Sequence, residues 1–283
     1  MVCSFLPIWV FTRNVVGNRP GVVVDQLITG SQGPHDYQLS PGDMMKINQA
    51  DVFIVNGLHL EEFLTQVVKQ ARPGLLIVEA ADAVAPISVD EQGLPVVGAG
   101  PAAGSSAARA ADNVNPHAFA SPRDAARMVM RIEEALARVD PAGAADYLRN
   151  AQAYAARLNR LADDFRAVVQ AAPNRQAATF HNAFAYLARD SGLTIVGVIE
   201  TAPDQEPSAG DLAALADKIK ATGAAAVFAE TQFSPRLAQV LATETGARLG
   251  TLDTCETGEQ RPDSYERAMG KNLETLREVL GGK

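Results

Sequence analysis

Cysteine occurs only twice, at Cys3 and Cys255, which excludes a disulfide scaffold and any C-x-x-C motif for zinc or redox chemistry. The two thiols do not fix the compartment. Positive charge is also scarce. Twenty-five Lys and Arg stand against 33 Asp and Glu, for a net charge of −8. Binding to nucleic-acid phosphates requires clustered cations that displace counterions, so a nucleic-acid partner is excluded and a cationic ligand is the better match. No apolar run approaches the roughly 20 residues needed to cross a bilayer. Histidine is rare as well, with four in the chain, and each position therefore carries information.

What is present is the composition of a folded protein. Hydrophobic residues make up 47% of the chain, enough to build a sizeable core. A length of 283 residues exceeds a typical single core, and two lobes are expected. The opening "MVCSFLPIWVFTR" lacks a basic n-region and a small-residue cleavage site. It reads as a first strand with a Met placed before it, as expected of a mature chain whose export signal has been removed.

Short β-branched runs alternate with helical stretches. "VCSFLPIWV", "GVVVDQLI", "DVFIVNG" and "LLIVEA" lead, and "AATFHNAF", "LTIVGVIE", "AAAVFAE" and "ARLGTLD" follow in the second half. Such alternation predicts parallel sheets. Ser40 and Pro41 open one helix as N-cap and first helical residue. Ser121 and Pro122 open another over "SPRDAARMVMRIEEALARV", and "SYERAMGKNLETLREVL" closes the chain as a third. Residues 98 to 113, "GAGPAAGSSAARAADN", have little to bury and read as a mobile loop. Between Pro141 and Pro173, Tyr147, Ala151, Tyr154, Leu158, Leu161, Phe165 and Val168 recur at spacings of four and three, one continuous helical stripe. A helix of about 30 residues spans roughly 45 Å, longer than one lobe needs. The expected division is an N-terminal α/β lobe over 1–140, a linking helix over 141–172 and a C-terminal α/β lobe over 173–283.

Three histidines and one carboxylate fall at or just beyond expected strand ends, where open α/β sheets bind ligands. His35 follows the second strand, His181 follows "AATF", and Asp253 ends "RLGTLD", while His117 lies in "NVNPHAFASP". Three imidazoles with one carboxylate suit a borderline ion such as Zn2+. The four are far apart in the chain, however, and no local signature such as H-E-x-x-H is present. For each histidine taken alone, a solvated or structurally hydrogen-bonded imidazole stands beside the ligand reading.

The run "GSQGPHDYQLSPGDMMKINQADVFIVNGLHLEEFL" resembles the metal-binding solute-binding proteins of ABC importers. Their Pro-His-x-aromatic stretch appears here as Gly33-Pro34-His35-Asp36-Tyr37, and their A-D-x-x-x-x-N-G-x-x-L-E run spans Ala50-Asp51, Asn56-Gly57 and Leu60-Glu61. "NPHAFASPRDAARM", "FHNAFAYLARDSGL", "AVFAETQFSP" and "GTLD" are similar to later landmarks of the same family, in the same order over essentially the whole chain. The resemblance implies two similar parallel-sheet α/β lobes joined by one long rigid helix. It makes His35, His117, His181 and Asp253 the metal ligands.

The same resemblance implies a periplasmic, monomeric protein without catalytic activity. It would capture one Zn2+ per chain and deliver it to an ABC permease, with a metallochaperone among the candidate donors. Manganese-type relatives carry a carboxylate where this chain has His181, and an imidazole there moves the site toward zinc. A manganese- or iron-binding member of the family, a zinc-dependent enzyme and a surface adhesin holding a structural metal are the alternative readings. Asn115 departs from the family's acid beside the second histidine, and residues 98 to 113 lack the histidines of the zinc branch's loop. His59 has no ligand counterpart and reads as a solvated or capping residue at a helix start. Glu230 reads either as an acceptor for a ligand imidazole or as a solvated strand-end acid. Cys255 reads as a small buried residue, and Cys3 as a strand residue.

Overall fold

The computed structural model describes residues 1–30, 33–35, 37–90, 94–95, 114–200 and 207–281, so the loop expected over 98 to 113 lies outside the described residues. The protein consists of two α/β lobes, each with a four-stranded parallel sheet, linked by a long helix.

The first sheet is built from β1 (Val2–Cys3), β2 (Asp25–Gln26), β3 (Val52–Val55) and β4 (Leu76–Glu79), in the order β2-β1-β3-β4. The expectation of a long first strand is corrected here. Only Val2–Cys3 is extended, and Leu6–Val16 is a helix, α1. Pro7 sits in its first turn, where a missing N–H costs nothing and the fixed φ suits a helix. The β-branched and aromatic residues that suggested a strand are instead buried on a helix covered nearly all round, with Ile8, Val10, Phe11 and Val15 at 0% exposure. α2 (Pro41–Gln49) begins as expected. Ser40 accepts from the Asp43 N–H and Asp43 accepts from the Ser40 N–H, a reciprocal capping box.

The Asn56-Gly57 to Leu60-Glu61 run closes on itself between β3 and α3 (Glu62–Ala71). Glu61 is buried, and its carboxylate accepts from the Asn56 N–H at 2.8 Å, the Gly57 N–H at 3.2 Å and the Ser4 hydroxyl at 2.6 Å. These bonds tie the ends of β1 and β3 together. Burial pushes the Glu61 carboxyl up to about 7, and the three donors only partly counter it.

A carboxyl raised in the folded state keeps its proton while the unfolded chain ionises near 4.5, so folding stability falls as pH rises from 4.5 through 7. The cost above that window is about 3 kcal/mol. We expect Glu61→Gln to leave stability nearly unchanged at pH 4.5 and to raise it at pH 8. The difference between the variant and the parent in denaturant midpoint of the metal-free protein, followed across that range, measures it. A difference that is flat with pH would show that Glu61 titrates normally.

The stripe read from the sequence forms α5 (Ala144–Ala171), preceded by a short 3-10 turn over Pro141–Gly143 and by α4 (Pro122–Val139). Tyr147, Ala151, Tyr154, Leu158 and Phe165 are all buried along it. Its C-terminal turns also bury Ala162 and Val169, the neighbours of Leu161 and Val168.

The second sheet comprises β5 (Gln176–Thr179), β6 (Thr194–Val198), β7 (Ala226–Glu230) and β8 (Arg248–Leu252) in the order β6-β5-β7-β8. Its crossovers include α6 (Ala185–Ser191), α7 (Ala209–Thr222) and α8 (Arg236–Thr245), and the chain closes with α9 (Ser264–Leu280). Ala178, Val196, Val227 and Ala229 of the sheet pack with Leu215, Ile219 and Leu241 of α7 and α8 in one apolar cluster. Gly250 is required in β8, because a Cβ there would stand 2.7 Å from the Phe228 ring.

The compact units cut the chain differently from a division at 140 and 173. One holds Met1–Ala85, Pro122–Arg160 and Cys255–Ala268, and the other Pro86–Ser121, Leu161–Thr254 and Met269–Lys283. The C-terminal residues are thus shared out between the units, which linear segmentation of a sequence does not reveal.

Candidate metal centre

Local structure fixes the backbone of two of the expected ligands, His181 and His117. His181 lies two residues past β5. Its N–H donates to Glu230 Oε1 at 3.0 Å, and its Nδ1 lies 2.7 Å from both carboxylate oxygens of Glu230. Glu230 is the last residue of β7 and is 2% exposed, so this is no solvated strand-end acid. Parallel pairing of β5 with β7 puts that carboxylate beside the histidine.

His117 stands just before a 3-10 turn over Ala118–Ala120 and is also buried. Its N–H donates to Asn115 Oδ1 at 2.9 Å, and its Nδ1 faces the same oxygen at 3.1 Å. Asn115 is in turn held on every side. Its N–H donates to Ile87 O at 2.8 Å, its Nδ2 donates to Asn182 O at 2.7 Å, and its carbonyl accepts from the Tyr186 hydroxyl at 2.7 Å. The Asn115 amide oxygen therefore orients the ring without a charge.

In both rings Nδ1 faces an acceptor, which assigns the proton of the neutral imidazole to Nδ1 and leaves the Nε2 lone pair available. The two Nε2 atoms stand 3.4 Å apart, with the rings 74° from coplanar. Two nitrogens each about 2.0–2.1 Å from a tetrahedral ion are separated by about 3.4 Å, so the spacing is that of two ligands on one zinc.

Beyond β8 the chain turns sharply. The Asp253 N–H donates to Asn272 Oδ1 at 2.8 Å, and Asn272 Nδ2 returns a bond to the Asp253 carbonyl at 2.7 Å. Cys255 then takes a left-handed conformation with φ of 68°, and Glu256 follows, 4% exposed. A Cβ at Gly33 would stand 3.5 Å from Glu256 Oε2, so the loop leading to His35 passes against this carboxylate.

His35, His117, His181 and Glu256 each offer a donor atom, all within 4.8 Å of one another. Asp253, expected as the fourth ligand, is not in this group, and the carboxylate that stands there belongs to Glu256, three residues on. His59 is outside the group too. It is exposed, in a left-handed turn ahead of α3 with φ of 66°. Cys3 is fully buried, and burial pushes its thiol up to about 12, which removes it from thiolate chemistry. Cys255 is 3% exposed, the small buried residue expected.

The fold and this donor set define a metal-binding protein built from two α/β lobes. The chain belongs to the family described as zinc-uptake complex component A, periplasmic, which it matches over residues 1–279. It is 30% identical to the high-affinity zinc uptake system protein ZnuA of Bacillus subtilis, over 99% of this chain and 87% of that protein. Against zinc-binding AdcA proteins of streptococci it spans about half their length, 55%. Among solved structures, the solute-binding protein FpvC of Pseudomonas aeruginosa in complex with Mn2+ matches with a TM-score of 0.83 at 30% identity, covering 99% of this chain and 97% of that one. A zinc-bound ZnuA carrying an internal deletion matches with a TM-score of 0.80 at 26% identity, covering 100% and 98%. No described helix is long and apolar enough to cross a membrane.

Proposed function

We propose that this chain is a zinc-capture protein that holds one Zn2+ per molecule through His35, His117, His181 and Glu256 and delivers it to an ABC permease on the outer side of the cytoplasmic membrane. The observation that carries the reading is the pair of Nε2 lone pairs 3.4 Å apart, each ring oriented through Nδ1 by a buried acceptor. Nitrogen lone pairs facing each other repel, and a cation held by both converts that repulsion into two bonds. Three imidazoles and one carboxylate complete a tetrahedral set, which leaves no coordination position for a water nucleophile. The protein therefore performs no covalent chemistry. It works as a monomer, and a metallochaperone is one source of its zinc.

The donor set also selects the ion. Imidazole-rich sites suit zinc, whereas manganese favours carboxylate and water oxygens. Competitive titration of the metal-free protein against a chelator of known affinity tests both points. One equivalent of Zn2+ is expected to bind, with Mn2+ far weaker, and equal or stronger Mn2+ binding would reassign the cargo.

A further inference from the structure

We propose that Phe233 is a kinetic barrier to metal exchange, its ring covering the outer edge of His181 and slowing loss of zinc to solvent. The proposal rests on the reading of His181 as a zinc ligand. Phe233 is 41% exposed, unusual for the largest apolar side chain of its loop, and isolated exposed apolar residues need no explanation. Here, however, the ring is placed. It stacks on Phe180 at 4.8 Å between centroids and 16° between planes, and Phe180 is itself buried. From that seat it makes a T-shaped contact with His181, 6.1 Å between ring centroids and 76° between planes.

The turn that carries Phe233 is the same one that orients the imidazole. It begins at Glu230, whose carboxylate holds His181 Nδ1, and is closed by Phe233 N–H to Glu230 O at 3.4 Å. The Thr231 N–H reaches Leu252 O at 3.2 Å, and Gln232 Nε2 donates to the buried Thr254 hydroxyl at 2.7 Å, which anchors the turn to the end of β8. For zinc to leave, the His181 ring must swing off the ion or a solvent ligand must approach it. Glu230 resists the first through Nδ1. Phe233 resists both, since its edge blocks rotation of a side chain that is already only 17% exposed. Because the ring contacts the imidazole, it is a positioning residue, acting on the rate of exchange more than on its equilibrium.

The test is transfer of zinc from loaded protein to an excess of chromophoric chelator, followed by stopped flow for the parent, Phe233→Ala, Phe233→Leu and Phe233→Trp. Loss of one edge-to-face aromatic contact is expected to speed release in Phe233→Ala by about tenfold. Capture should accelerate in parallel, so equilibrium affinity moves much less. Phe233→Trp restores slow release. The thermal midpoint of each metal-free variant separates this from general loosening of the fold. Should Phe233→Ala fail to fold, the folded Phe233→Leu is read instead, with release expected between the parent and a tenfold increase. Unchanged release in the folded variant, or equal acceleration in Phe233→Ala and Phe233→Trp, would overturn the proposal. Failure of the parent to take up zinc at all would instead overturn the function on which it rests.

Discussion

Replacing His181 by Ala should lower zinc affinity by two to three powers of ten while leaving the metal-free fold intact. Structural zinc sites are worth about 10–16 kcal/mol over four ligands, or about 3–4 kcal/mol for each. One power of ten corresponds to about 1.4 kcal/mol. His181 lies just past the C-terminal end of β5 and is only partly buried, so truncation removes a donor without opening the core. It does leave the buried Glu230 carboxylate with one partner fewer, which lowers the thermal midpoint slightly. His59→Ala is the matched control. That side chain is exposed and lies outside the donor group, so its affinity should stay within about twofold of the parent, as for surface changes generally. Isothermal competition against a chelator measures both, and comparable losses in the two variants would sink the distinction between ligand and bystander.

The fold was legible where sequence periodicity is strong. The stripe from Tyr147 to Phe165 emerged as a single helix because four-and-three spacing sustained over about five turns matches the helical period and no other. Ser40-Pro41 opened a helix because both residues solve the first-turn problem of unpaired N–H groups. Legibility failed at residues 5 to 16, where β-branched and aromatic residues suggested a strand. Those side chains are buried nearly all round α1, with only Arg13 and Asn14 half-exposed, so no broad polar face marks the helical period, and Pro7 was the one local signal of a helix start.

The centre shows the same division. The imidazoles fell at strand ends, where parallel sheets gather ligands, and three of the four members of the donor group were named from that placement together with the resemblance. The acceptors behind them were harder to see. Glu230 stood out as a strand-end acid, but its pairing with His181 depends on the β5–β7 neighbourhood, which skips a strand in chain order. Asn115 stands out in the sequence as a departure from the family's acid beside the second histidine. A neutral amide oxygen can nevertheless accept from Nδ1 and fix the tautomer, and Asn115 does so.

The carboxylate in the donor group is Glu256, where Asp253 was expected, and it yields the second large effect: Glu256→Gln should weaken zinc binding by about two powers of ten, and Asp253→Asn should do much less. On sequence, Asp253 reads as the fourth ligand because it closes the "GTLD" run at the end of β8, the last landmark of the resemblance. Asn272 grips the backbone of Asp253 from both sides, and Cys255 then adopts a positive φ that residues other than Gly, Asn and Asp seldom take. That left-handed residue stands between Asp253 and Glu256, and no residue type at position 255 announces it. Glutamine keeps the length and a weak oxygen donor but loses the charge that offsets a divalent cation, so Glu256→Gln isolates the electrostatic part of the ligand. The loss should be seen with zinc by competitive titration and be absent from the thermal midpoint of the metal-free protein, or reversed there, since a buried carboxylate has been made neutral. If Asp253→Asn proves the more damaging of the two, the chain closes on the metal through its nearer acid, and the turn at Cys255 serves the fold alone.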